Sequence, residues 1–220
     1  MKVYSGTANS STTIGYTRYG YASWSTGSSS GACQGAYENT ASSGSRVGVM
    51  VFEGAGTALK GRKITQIEFA ITCSNAGYAS SSKVLTFHKA NYQSLDTSLR
   101  GSAQVGDTLG TLTGKFYGNT SYHTLNESTN AAFFNAMIAY LASGNSVLVL
   151  YNGETSGSGT GDYSTNYARI TSIIMTVAYM DAKTIWYNNA GTWVECYAYY
   201  HQDGQWVLCS PYYNSGGTWV

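Results

Sequence analysis

Charge is what this sequence has least of. Lys, Arg, Asp and Glu together make up 10% of its 220 residues, where a soluble protein ordinarily carries about 25%. Proline falls to a single residue, Pro211, and cysteine to four. No apolar run approaches the roughly eighteen residues of a membrane span, and the first thirty residues (MKVYSGTANSSTTIGYTRYGYASWSTGSSS) lack the apolar block of a signal peptide. Each shortage excludes something. Few charges and many small polar residues disfavour long solvated helices. Twelve Lys and Arg set against eleven acids, for a formal net charge of +1, leave no basic stripe to displace phosphate counterions, so nucleic-acid binding is not expected. The missing hydrophobic runs predict a soluble chain without membrane insertion or a Sec-type export signal. Cys33, Cys73, Cys196 and Cys209 are widely spaced with no CxxC, which suggests neither a zinc site nor a dense disulfide framework; they read as small buried apolar residues.

What the chain does have is 43% hydrophobic residues, 14% aromatics, 26 Gly and 20 Tyr, enough to supply an ordered interior despite the low charge. The first forty-five residues are mostly Ser, Thr, Gly and Tyr, with one aromatic cluster around Tyr16, Tyr19, Tyr21 and Trp24, and predict loops and short edge strands. Clearer strands follow at Arg46–Phe52, Ile64–Thr72, Lys83–His88, Ser146–Tyr151 and Ala168–Tyr179, where apolar residues alternate or form short β-branched runs. One helix interrupts them: Ser128 or Thr129 can cap it, Ala131, Phe134, Ile138 and Leu141 recur at helical spacing, and Gly144 stops it. Many short strands with no alternating βα units predict an all-β fold, an antiparallel, jelly-roll-like β-sandwich with one short helix over residues 1–180.

Residues 181–220 are a different object. Trp193, Trp206 and Trp219 stand thirteen residues apart, and Trp186, Tyr199 and Tyr212; Tyr187, Tyr200 and Tyr213; Gly191, Gly204 and Gly217; and Val194, Val207 and Val220 keep the same interval. Cys196 and Cys209 coincide as well. Each unit reads as a β-hairpin with a turn drawn from NNAG, HQDG or NSGG. A hairpin this small is not stable alone in water, so three 13-residue repeats are expected to stack on one another or on a partner chain.

Residues that could carry chemistry are few. The eleven acids show no motif-like pairing, although separated carboxylates meeting in the fold leave glycoside hydrolysis open. His88, His123 and His201 have no metal-ligand spacing, and no nucleophile elbow or cysteine–base pair is present. No catalytic residue, metal or cofactor is therefore expected. The glycine-rich stretch Asn152–Asn166 fits neither phosphate-loop pattern; it is either a connecting loop or a ligand-contacting tip through Asp162 and Tyr163, meeting a sugar or a cation. Surplus Tyr among Ser, Gly and Asn resembles a recognition surface, where Tyr offers a flat apolar face and a hydroxyl at small entropic cost. The competing role is core and cross-strand packing. Packing is the expectation for Trp193, Trp206 and Trp219 as the repeat core, with Tyr187, Tyr200 and Tyr213 lining an outer, ligand-binding face.

The units WYNNAGTWVEC, YYHQDGQWVLCSP and YYNSGGTWV are similar to the short C-terminal repeats on tail-fibre and baseplate-type proteins of phages and prophages of Gram-positive bacteria. The preceding LVLYNGETSGSGTGDYSTNYARITSIIMTVAY resembles the sandwich domain that often comes before them. The resemblance implies a virion structural protein or adhesin of the tail or baseplate, made in the bacterial cytoplasm, usually trimeric, that contacts a host-surface polysaccharide; it brings no catalytic residues. Choline-type cell-wall-binding repeats also use Gly-x-Trp followed by aromatics, but their repeat is longer and their return strand differs from the Trp-Val-x-Cys found here. The expected function is thus a non-enzymatic tail-tip or adhesin protein, with an extracellular carbohydrate-binding module of a larger secreted enzyme as the alternative.

Overall fold

The computed structural model describes residues 1–9, 13–27, 31–36, 44–75, 82–116, 120–155, 163–180, 184–202, 204–209, 214–215 and 218–219, and for most residues from 184 onward the backbone pairing alone. In chain order the elements up to Met180 are β1 (Lys2–Asn9), β2 (Ile14–Arg18), β3 (Ser25–Thr26), β4 (Ala32–Ala36), β5 (Ser45–Val51), α1 (Ala55–Leu59), β6 (Lys63–Asn75), β7 (Lys83–Ala90), α2 (Gly101–Gln104), β8 (Val105–Gly114), β9 (Ser121–Leu125), α3 (Ala131–Ala142), β10 (Val147–Leu150) and β11 (Ala168–Met180).

The expected antiparallel all-β architecture is present. The strands form one eleven-stranded sheet in the order β8-β7-β10-β5-β4-β11-β6-β9, with β1 also paired to β11 and β2, carrying β3, paired to β5. Alternation explains the inner face: Ile67, Phe69, Ile71 and Cys73 of β6 are buried while Gln66 is exposed. In β11 a register shift between Ile170 and Ser172 brings Ile173, Met175 and Val177 onto the buried face with Ile170 and leaves Ile174 outside, the re-aiming that a bulge performs. The sheet bends until strands far apart in its order share one core. Phe69 of β6 stacks on Phe87 of β7 at 5.5 Å, and Phe133 of α3 contacts both rings at 6.4 and 5.5 Å. Gly110 makes room for Phe133, since a Cβ there would lie 2.4 Å from the ring. The helix packs against β6, β8 and β9, and so fills the gap that keeps the sheet from closing between its two end strands.

Two expectations are corrected. The helix begins after Asn130, which is in the left-handed region, with no side-chain cap from Ser128 or Thr129; instead the carboxamide of Asn126 accepts the N–H groups of Ser128 and Thr129 at 2.9 and 2.7 Å. Its buried face is Phe133, Phe134, Met137, Tyr140 and Leu141, with Ala131 exposed and Ile138 half-buried. Residues 1–45 also do more than form loops and short edge strands. The eight-residue β1 runs along β11, and β4 is wholly buried, bonded to β5 and β11 alike. Its small residues have no hydrophobic period to read because the backbone itself is packed: a Cβ on Gly48 of β5 would lie 2.6 Å from the Cys33 nitrogen.

A second, smaller apolar cluster lies on the outer face. Val47, Val49, Val147 and Val149 are buried with Ala90 beneath Trp24, Leu95, Val105 and Tyr151, so β5 and β10 are covered on both sides and read as continuous apolar runs.

Beyond Met180, β12 (Thr184–Asn189), β13 (Thr192–Gln202) and β14 (Gln205–Cys209) form a three-stranded antiparallel sheet, and β15 (Asn214–Ser215) pairs with β16 (Thr218–Trp219). Trp193 lies opposite Asn188, Trp206 opposite His201 and Trp219 opposite Asn214. Pairing thus advances by the interval of the sequence pattern. Ala190 and Gly191 both have positive φ (50° and 91°), the backbone that suits a two-residue hairpin turn.

Candidate functional site

Strands β4, β6 and β10 end, and β5, β7 and β11 begin, at one end of the sheet, as the pairs Ala36 with Ser45, Asn75 with Arg169 and Gln34 with Ala168 require. Two constellations of side chains lie side by side here, one polar and partly buried, the other aromatic and exposed.

The polar one is centred on Glu154. Its Oε1 accepts from Asn166 Nδ2 at 2.9 Å, and its Oε2 from Ser164 Oγ at 2.5 Å and Asn152 Nδ2 at 3.0 Å, while the Asn166 N–H points at both oxygens. Asn166 Oδ1 accepts the Val84 N–H at 2.9 Å. Gln34 donates to Val84 O and Asn166 O and accepts from the Thr86 N–H, so one side chain joins β4, β7 and the segment before β11. Lys83 enters from the first position of β7. It is 1% exposed and donates to Thr165 O at 2.6 Å. Burial pulls its pKa below the ordinary lysine value, opposed by the negative charge of Glu154. Lys83 occupies the inward face that continues through Leu85 and Phe87, and that is the one sequence signal that could have found this cluster: a lysine in phase with core residues.

The aromatic constellation begins one residue before Asn152. Tyr151, at the end of β10, stacks on Tyr19 at 4.8 Å with the rings 16° from parallel. Tyr19 and Tyr21 are 46% and 51% exposed, and the Arg18 guanidinium lies 3.8 Å above the Tyr21 ring. The segment carrying them is pinned from both sides: Tyr19 N–H donates to Ser45 O, Arg100 Nη1 to Gly20 O, and Trp24 Nε1 to Leu99 O. Two flat rings and a cation-covered third are thereby held on a rigid base. Tyr16, Tyr19, Tyr21 and Trp24 are evident as a cluster in the sequence, but their meeting with Tyr151 depends on β2 and β10 flanking the same strand, β5.

The sequence-predicted binding residues fare differently. Tyr163 is half-buried, its ring 4.3 Å from that of Tyr167; Tyr167 is itself buried, with its hydroxyl 3.9 Å from Cys33 Sγ. Asp162 and Tyr213 lie outside the described residues. Tyr187 and Tyr200 take equivalent places opposite Val194 and Val207. Among the described residues no group of three His, Cys, Asp or Glu side chains could hold a metal ion. Cys33 and Cys73 are buried free thiols whose pKa values burial pushes up to about 12. Far from this end, a groove of about 890 Å³ separates α3 from β7 and β8, with the exposed Lys89–Asp107 ion pair on its wall.

No family model matches the chain, and the search of curated proteins finds no similar sequence.

Proposed function

We propose that this chain is a non-enzymatic recognition protein that binds a neutral host-surface glycan, in the role of a tail-tip or adhesin protein of a phage or prophage of Gram-positive bacteria. The observation that carries the reading is the division of its aromatics. All six phenylalanines are buried, whereas every strongly exposed aromatic among the residues whose side chains are described is a tyrosine, and two of these, Tyr19 and Tyr21, belong to the pinned platform with Tyr151 and Arg18. Tyrosine is suited to sugar, since its ring covers the apolar face of a pyranose while its hydroxyl exchanges hydrogen bonds with the hydroxyls at the rim. The sandwich reading of the sheet suits this role, placing the recognition surface at one end of a rigid frame. The hairpins after Met180 would join copies of the chain, as a trimer, or attach it to the tail.

Binding of fluorescently labelled protein to Gram-positive cells and to their isolated wall polysaccharide tests the reading. The Tyr19→Ala, Tyr21→Ala double variant is expected to lose binding at least about tenfold, the equivalent of roughly 1.4 kcal/mol, with an unchanged thermal transition. Undiminished binding would remove the platform from the proposal. A monomer in light scattering that prefers one soluble polysaccharide on a glycan array would instead favour a carbohydrate-binding module of a larger secreted enzyme.

A further inference from the structure

We propose that the side chains of Lys83 and Asn166 join in an intramolecular amide cross-link, formed by the folded protein itself with Glu154 as the proton-transfer group. Three features of the polar cluster carry this. The amine lies one residue away along the chain: Lys83 is 1% exposed, and its Nζ donates to the carbonyl of Thr165, the residue preceding Asn166, at 2.6 Å. The electrophile is polarised: Asn166 Oδ1 already accepts the Val84 N–H at 2.9 Å, a fixed backbone donor placed where negative charge would develop. The leaving group faces an acid–base residue: Asn166 Nδ2 lies 2.9 Å from Glu154 Oε1. Burial also pulls the Lys83 pKa below the ordinary lysine value, against the charge of Glu154, and so toward the neutral amine, the nucleophilic state.

The step balances without any other reactant. Nζ leaves the Thr165 carbonyl and attacks Cγ of Asn166, giving a tetrahedral intermediate whose oxygen keeps the Val84 N–H. Glu154 takes the proton that Nζ sheds and passes one to Nδ2. The Cγ–Nδ2 bond breaks and ammonia departs, leaving a secondary amide between the two side chains. Nothing is oxidised or reduced. Gln34 is a positioning residue: its hydrogen bonds to Val84 O, Thr86 N–H and Asn166 O hold the donor, the strand and the carboxamide in register. The link would tie the first residue of β7 to the segment entering β11, at the end of the sheet that carries the aromatic platform, and so resist pulling and proteolysis there.

Intact-mass spectrometry of the purified full chain decides it. The expected mass is below the sequence mass by one ammonia, and a digest should contain a branched peptide joining the Lys83 and Asn166 segments. Lys83→Met and Glu154→Gln should each abolish the branched peptide, and the Lys83→Met chain should melt several degrees lower. Should either variant fail to fold, the wild-type digest still gives the answer. A folded wild-type chain with no mass deficit overturns the proposal. So does a deficit that maps to a succinimide at Asn152, which precedes Gly153 and is cleaved by hydroxylamine, with Lys83 recovered in an unbranched peptide.

Discussion

The eleven-stranded sheet and the C-terminal hairpins use the same strand chemistry over very different sequence distances. In the sheet, Lys2 pairs with Tyr179 and Ala8 with Ile173; in the hairpins, Asn189 pairs with Thr192 and Gln202 with Gln205. Distant pairing requires loop closure before any contact forms, and it is repaid here by a continuous core that holds all six phenylalanines. Local pairing closes almost no loop, but it buries little by itself. The sheet should therefore unfold as one cooperative unit with large penalties for core defects, and the hairpins should answer to neighbours and not to that core.

The largest effect that tests this contrast is expected at Phe69, which touches both Phe87 and Phe133. Phe69→Ala should cost about 3–5 kcal/mol in denaturant unfolding, while Trp206→Ala leaves the midpoint of the sheet unchanged. Equal shifts would merge the two regions into one cooperative unit. Gly48→Ala comes next: its new Cβ would press on the β4 backbone at 2.6 Å, a crowding that yields only by moving a strand, and about 1–3 kcal/mol should be lost.

A smaller effect is expected from pH. Burial lowers the pKa of His123, whose ring lies 5.0 Å from Phe116 near the open edge of the sheet. The unfolded chain then binds the proton more readily than the folded one. Stability should be intact above about pH 6.5 and drain away as pH falls below it, and a His123→Gln chain should show a flatter profile in the same denaturant titration. The smallest response is expected from the thiols. Buried and with pKa values pushed up to about 12, Cys33 and Cys73 should stay unlabelled by a thiol reagent in the native sheet and react fully once it is unfolded.

Much of the sheet was legible because burial on one face leaves a period of two, as in β6, or a short apolar run where both faces are covered, as in β10. β4 was not, because its Ala, Cys and Gly residues are selected by backbone proximity, which leaves no periodic trace. The helix was found but its face was misjudged, since Phe133 and Met137 dock on a curved sheet and not along the stripe through Ala131 and Ile138. The candidate site was legible only in fragments. Tyr19 and Tyr21 stood out as a cluster, and the Asn152–Asn166 segment as an unusual loop, and of the residues expected to face ligand Tyr163 lies half-buried with its ring beside that of Tyr167.

By itself the sequence determined the β-rich class, the surplus of tyrosine, and the thirteen-residue register, because all three follow from local composition and spacing. Only the tertiary structure decided which distant residues meet. Whether Tyr151 lies on Tyr19, or Lys83 beside Glu154 and Asn166, depends on strand order, and strand order is set by nonlocal pairing that no local pattern encodes.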